Sequence, residues 1–277
     1  MHNELNLAFI GGGNMATALA SGLIGKRCGA HNVHIIDVQA DVLERWKLQG
    51  VSGSDTPDEI LASKRVWIFS VKPQYLKQAV QSCRPFLQDD TLVISVAAGI
   101  SSTTLSQWLG TADQPWTRLV RCMPNTPALI GAGAAGLLAL SGVTDDDKQI
   151  ADQLLRSVGQ VVWVNSDAGI DAVTALSGSG PAYVFLFLQA LIDGAIELGL
   201  SADQARTLAL ATVDGATQLA GLSPEDLVTL RQRVTSEGGT TAAALAVLER
   251  DGFAASVHNA MAAAHARAAE LADAFSQ

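Results

Sequence analysis

The chain has 277 residues, 48% of them hydrophobic and only 16% charged, a composition that supports a substantial core and excludes intrinsic disorder. A formal charge of −9 argues against nucleic acid or an anionic membrane as the main partner, because like charge repels phosphate. Three widely spaced cysteines (Cys28, Cys83 and Cys122) make neither a disulfide framework nor a zinc site; no metal is expected, and a reduced, cytoplasmic setting is.

The start, MHNELNLAFI, lacks the basic n-region of a signal peptide. A short apolar run at 5–10 predicts the first strand, followed by a glycine-rich turn and a helix over 14–25. Further apolar runs at 33–37, 66–71, 91–96 and 117–123 predict buried strands, with helices near 41–49, 74–83 and 101–109 between them. A strand near 134–140, a helix from Asp145 to about Val158 and a last strand at 161–164 complete this half. Strands alternating with helices imply right-handed βαβ units, hence a mostly parallel, doubly wound sheet. The expected fold is therefore an α/β Rossmann domain over 1–165 and an all-α domain over 166–277.

The boundary follows from composition. Residues 1–165 hold 14 acidic and 13 basic side chains, whereas 166–277 hold 13 acidic and 5 basic, and 27 of those 112 residues are alanine. Helices are expected at about 167–176, 181–199, 201–221, 224–234, 241–250 and 253–275, with Pro181 in a first turn and Ser201 and Ser223 as N-caps. The segment AYVFLFLQALIDGAIELG is apolar on nearly all sides, as in the middle of a bundle or a subunit interface. Gln189, Asp193 and Glu197 interrupt it, so no uninterrupted apolar stretch reaches the ~18–20 residues of a membrane span.

The glycine-rich turn reads Gly11-x-Gly13-x-x-Ala16 between a strand and a helix. Gly11 permits the tight turn, Gly13 lets backbone approach a pyrophosphate, Ala16 lets the helix pack closely, and the helix N-terminus attracts the anion. Asp37, ending the second strand, can accept from the ribose hydroxyls of NAD and repel a 2′-phosphate, or can simply cap the next helix or be solvated. SVKPQ (70–74) and AAG (97–99) follow the third and fourth long strands, on the rim where ligands bind; there Lys72 can contact a phosphate or ribose, or simply be solvated. Asn125, in the two-proline loop MPNTP, can approach a nicotinamide or organise the turn.

Two segments, SGSGPAY (177–183) and TSEGGTT (235–241), precede helices and offer N–H groups and hydroxyls to a small anion. Beyond Ser166 there is no lysine and no cysteine, and the two histidines, His258 and His265, read as solvated or interface residues in the tail helix. Ketone reduction ordinarily needs a placed acid, whereas a protonated imine does not, because hydride transfer merely neutralises it. The composition therefore favours C=N reduction over a hydroxyacid dehydrogenase with a catalytic lysine in its helical half, or over a non-enzymatic cofactor sensor.

IGGGNMA, SVKPQ, AAG, RCMPNTPA, DAVTALSGSGPAY and VTSEGGTT, in this order, resemble pyrroline-5-carboxylate reductase over essentially the whole chain. The resemblance implies NADPH- or NADH-dependent reduction of L-1-pyrroline-5-carboxylate to L-proline by a homodimer interlocked through its helical domain, with a ring-shaped decamer built of dimers as a larger assembly. It implies that Ile10, Gly11, Gly12, Gly13, Asn14 and Met15 hold the cofactor together with Ser70, Val71, Lys72 and Pro73 and with Ala97, Ala98 and Gly99. It implies that GGTT, with Gly238 in its turn, takes the substrate carboxylate on the N–H groups of Gly239 and Thr240. Ser236 would support the loop, and the Thr241 hydroxyl would orient the ring nitrogen. One position departs from the pattern: Glu237 stands where the family usually has proline.

Overall fold

The computed structural model describes residues 5–25 and 27–275. Eight strands form one sheet: β1 (Leu7–Ile10), β2 (Val33–Ile36), β3 (Ser52–Ser54), β4 (Val66–Phe69), β5 (Leu92–Ser95), β6 (Leu119–Met123), β7 (Gly133–Ala139) and β8 (Gly159–Trp163). Their order is β3-β2-β1-β4-β5-β6-β7-β8, parallel throughout except for the antiparallel β6–β7 pair. That exception follows from the connection: only a short loop joins β6 to β7, too little chain for a crossover helix.

The central strands β1, β2, β4 and β5 are buried along their whole length because both faces of the sheet are covered there. Leu7, Phe9, Val33, Ile35, Val66, Ile68, Leu92 and Ile94 pack into one core, while Ala8, Ile10, Ile36, Trp67, Phe69 and Val93 pack into another. This is the period of two in a strand: alternate side chains leave opposite faces, and a parallel sheet buries both. Burying each large side chain contributes about 1.5–3 kcal/mol.

The flanking helices are α1 (Asn14–Leu23), α2 (Ala40–Lys47), α3 (Glu59–Ala62), α4 (Pro73–Cys83), α5 (Ser102–Leu109), α6 (Asp145–Arg156) and α7 (Asp167–Val173). Two of these elements, β3 and α3, carry no hydrophobic pattern and were not expected from it. Strand β3 is the polar triplet SGS, held at the sheet edge by backbone pairing with His34–Ile36. Its Gly53 is required, since a Cβ there would lie 2.9 Å from Leu43 and 3.0 Å from the Ile35 carbonyl. The single turn α3 is set by Asp58, whose carboxylate accepts from the Ile60 N–H.

Helix α6 shows how charge organises this half. Thr144 and Asp147 form a reciprocal capping box. Asp147 is fully buried yet lies 2.8 Å from Arg118 Nε and 3.0 Å from an Arg65 guanidinium nitrogen. Burial alone would raise its pKa; the hydrogen bonds from Arg118 and Thr144 outweigh that and hold it below the ordinary value. A carboxylate depressed on folding adds stability above its unfolded pKa of about 3.9, and loses it as pH falls through the depressed folded value. The expected outcome for Asp147→Asn is a lower melting temperature at pH 7, by about 2 kcal/mol of stability, and a difference from wild type that narrows as pH falls below the unfolded value of about 3.9. A constant difference across that range in pH-dependent melting would contradict the assignment.

By packing, the chain divides into Met1–Ser179 with Ala264–Gln277, and Gly180–Ala263. The division thus falls later than the compositional break at 165/166, and the chain end rejoins the first unit. Helix α7 belongs to the sheet because Asp167 and Asp171 reach buried Arg121 of β6, at 2.5 and 3.5 Å. A Cβ at Gly99 would lie 3.0 Å from Leu271 Cβ near the chain end, and Phe275 packs on the second core.

The second unit consists of α8 (Gly180–Glu197), α9 (Ala202–Leu222), α10 (Leu227–Arg233), α11 (Thr240–Arg250) and the first part of α12 (Phe253–Phe275). Ser201 caps α9 in a capping box with Gln204. Ser223 does not cap α10 as its position implies; it ends α9, and Asp226 takes the cap by accepting from the Thr229 N–H. No residue of α8 is buried within the chain, although Phe185 and Leu186 are 65% and 74% exposed. The helical run Asp167–Glu197 is long and apolar enough to cross a membrane by length and composition, with 6% of that window buried.

Candidate active site

Sheet order brings the carboxyl ends of β2, β1, β4, β5 and β6 side by side, and every segment of the dinucleotide signal follows one of them. The reversal of strand order beside β1 is the topological switch point of an open α/β sheet, the place where ligands bind. The glycine turn is forced by its neighbours. Gly11 has φ +96°, and a Cβ there would lie 2.9 Å from Ser70 and Val71 backbone atoms. A Cβ on Gly12 would lie 2.8 Å from Ile35, Val42 and Trp46. Gly13 differs: beyond it is open space, and it caps α1 without a side-chain hydrogen bond. The first N–H groups of α1, from Asn14, Met15 and Ala16, therefore face a cradle shaped for an anion.

The remaining rim residues brace that cradle or line it. Ser70 donates its hydroxyl to the Gly11 carbonyl at 2.6 Å. Asp37 accepts from the Gly12 N–H at 2.7 Å and from the Gln39 N–H at 2.9 Å. Exposed Lys72 stands at the N-cap of α4 with Pro73 at its first position, and its Nζ has no ion-pair or hydrogen-bond partner among the described residues. Gly99 turns the AAG loop at φ +71°, with Ala97 buried. Asn125 is committed to structure: Oδ1 accepts from the Ala134 N–H at 2.8 Å and Nδ2 donates to the Ser177 carbonyl at 3.0 Å. Its side chain thus organises the turn and anchors the single π-helical turn Thr174–Gly178 of the SGSG segment.

Three bracing residues, Trp46, Arg121 and Asp167, do not stand out in the sequence. The indole N–H of Trp46, buried on α2, donates to the Gly12 carbonyl at 2.9 Å. Arg121 and Asp167 also matter, since Asp167 accepts from the Ser102 hydroxyl at 2.6 Å and so fixes the end of the AAG loop to β6. A lone arginine inside the apolar strand LVRCM was the available signal, because a buried charge requires a partner.

In the helical unit, the TSEGGTT segment forms a β-turn into α11. Gly239 N–H donates to the Ser236 carbonyl at 3.1 Å, and Gly238 has φ +68°. No described residue other than glycine has positive φ, so Glu237 sits at the second position of a type II turn. The Gly239 N–H is therefore spent within the turn. The donors left over at the start of α11 are those of Thr240, Thr241 and Ala242, with Gly239 as a cap that offers no side chain. The Thr241 hydroxyl has no hydrogen-bond partner among the described residues. His258 and His265 are exposed on α12, and no cluster of three or more potential metal ligands occurs among the described residues.

Known proteins match this arrangement. A family model described as pyrroline-5-carboxylate reductase dimerisation matches residues 167–271, and one described as NADP oxidoreductase coenzyme F420-dependent matches residues 6–99. The chain is 44% identical to the pyrroline-5-carboxylate reductase of Pseudomonas aeruginosa, covering 98% of both chains. It is 39% identical to that of Pisum sativum, covering 98% of this chain and 97% of the other. Among solved structures, the pyrroline-5-carboxylate reductase of Coxiella burnetii superposes with TM-score 0.90 at 38% identity, over 97% of this chain and 99% of that one. The pyrroline carboxylate reductase of Plasmodium falciparum, solved with NADP bound, superposes with TM-score 0.83 at 27% identity, over 97% and 98% of the two chains.

Proposed function

The chain belongs to the pyrroline-5-carboxylate reductase family, and from that premise we propose how its residues carry the reaction. It is an NAD(P)H-dependent oxidoreductase that reduces the C=N bond of L-1-pyrroline-5-carboxylate to give L-proline, the final step of proline biosynthesis. The observation that carries the reading is the pair of open cradles, one over Gly13 at the start of α1 and one at the start of α11.

The cofactor, when bound, supplies a hydride. Asn14, Met15 and Ala16 hold its pyrophosphate on their N–H groups, the space over Gly13 admits it, and Lys72 adds a cation at the rim. The donors of Thr240, Thr241 and Ala242 hold the substrate carboxylate, one residue further along than the motif alone implies. Thr241 Oγ1 hydrogen-bonds the ring nitrogen and fixes which face of the ring is presented. The nitrogen keeps the proton it arrives with, so no residue acts as general acid.

The protein works as a homodimer, with the exposed apolar residues of α8 covered by the second copy; the dimerisation model over 167–271 supports this. A ring of such dimers, a decamer, is the larger assembly we propose. We place the enzyme in the cytoplasm, in keeping with three buried cysteines that form no disulfide among the described residues. No membrane or nucleic acid takes part. The test is oxidation of NADH or NADPH by the purified protein, dependent on L-1-pyrroline-5-carboxylate; absence of turnover with both would remove the proposal.

Glu237 offers a second check. Proline suits the second position of a type II turn, and no hydrogen bond from the Glu237 N–H holds the loop. Glu237→Pro is expected to stiffen the turn, stabilise the fold by about 0.4–1 kcal/mol and lower KM for the imino acid by removing a negative charge near its carboxylate. A KM unchanged or raised in a folded variant would contradict this.

A further inference from the structure

We propose that Asp37 makes the enzyme prefer NADH to NADPH, an inference that rests on the cofactor site described above. In a Rossmann unit the adenosine ribose falls at the end of the second strand, where Asp37 directly follows β2. The carboxylate is held there by two backbone donors, Gly12 N–H on one oxygen and Gln39 N–H on the other. Each oxygen retains a lone pair, so the group can still accept from ribose hydroxyls.

A 2′-phosphate at the same place would bring about two negative charges against this fixed anion. Such a group is tolerated when a cation stands beside it, and none does. Asp37 forms no salt bridge among the described residues. The next three positions, Val38, Gln39 and Ala40, are exposed and uncharged, with Val38 85% exposed. Arg45 and Lys47 lie further along α2. From the neighbouring strand the contact is the Ser54 carbonyl, which accepts from the Asp37 N–H at 3.1 Å, and the next residue is Asp55, another acid. Each of these features disfavours a phosphate and none disfavours a hydroxyl.

Dissociation constants for NADH and NADPH, read from cofactor fluorescence on titration of the full-length protein, test this without turnover. NADH should bind about tenfold tighter or more at low salt, with the ratio narrowing as salt screens the charges. Asp37→Asn should narrow the ratio by improving NADPH binding relative to NADH. Val38→Arg, at an exposed position that carries no core packing, should do the same by supplying the missing cation. A residue that merely braced the glycine turn would change both affinities alike on substitution, so an unchanged ratio in both variants overturns the proposal. Equal or tighter binding of NADPH by the wild type also overturns it, while leaving the reductase reading intact. Binding of neither cofactor would remove the proposal together with that reading.

Discussion

Thr241→Ala is expected to lower kcat with L-1-pyrroline-5-carboxylate about 100-fold, the usual cost of removing one well-placed hydrogen-bond donor at a reacting centre. Affinity for NAD(P)H should change less than about twofold, because the substitution alters none of the residues assigned to the cofactor and leaves every backbone N–H of α11 in place. The effect should fall mainly on kcat, since the carboxylate donors are backbone N–H groups that the substitution leaves in place. Thr241→Ser keeps the hydroxyl and should recover most of the rate. Full activity in the alanine variant, or equal losses in alanine and serine variants, would contradict the assigned role.

The second large effect concerns stability. Arg121 is 2% exposed and pairs with Asp167 and Asp171, whose side chains are 30% and 10% exposed. Arg121→Ala leaves two carboxylates facing a vacated interior and should cost about 3 kcal/mol, the lower end for breaking a buried pair because Asp167 retains some solvent. For a chain of this size that is a fall in Tm on the order of 10 °C. Activity should suffer as well, since Asp167 tethers Ser102 beside the AAG loop. Replacing all three members, Arg121→Met with Asp167→Asn and Asp171→Asn, should restore much of the lost stability, because no charge is then left uncompensated. A single variant as stable as wild type, or a triple variant no better than the single, would show that the pair does not hold α7 to the sheet.

The sheet was legible wherever burial left an apolar run. Seven of the eight strands carry such a run, the central ones because a parallel sheet buries both faces, whereas edge strand β8 buries only Val161 and leaves Val162 and Trp163 exposed. The eighth, SGS, was invisible because it carries no apolar residue; backbone pairing with β2 and hydrogen bonds between its serines and the His34 ring hold it. The glycine turn was legible down to individual positions: Gly11 carries the positive φ, Gly13 opens onto free space, and Ala16 is fully buried.

Three-dimensional partnerships were not legible. Nothing local to Asp167 reveals that it meets an arginine 46 residues earlier, so the compositional break at Ser166 hid a helix that packs with the sheet. Asn125 offered two roles in the sequence, and its two backbone partners, Ala134 and Ser177, lie in segments that only folding brings together. The substrate motif was legible as a set of residues. The donors that remain free in it depend on a turn bond, Gly239 to Ser236, that no residue type announces.

The central claim is that this chain adds a hydride to a C=N carbon and that the nitrogen keeps its own proton. It is tested most directly with cofactor deuterated at the transferring position of the nicotinamide and L-1-pyrroline-5-carboxylate as acceptor, with the product examined by mass spectrometry and NMR. The expected product is L-proline carrying a single deuterium, at the ring carbon that was double-bonded to nitrogen. Proline without deuterium, deuterium at another carbon, or cofactor oxidation without proline would contradict it.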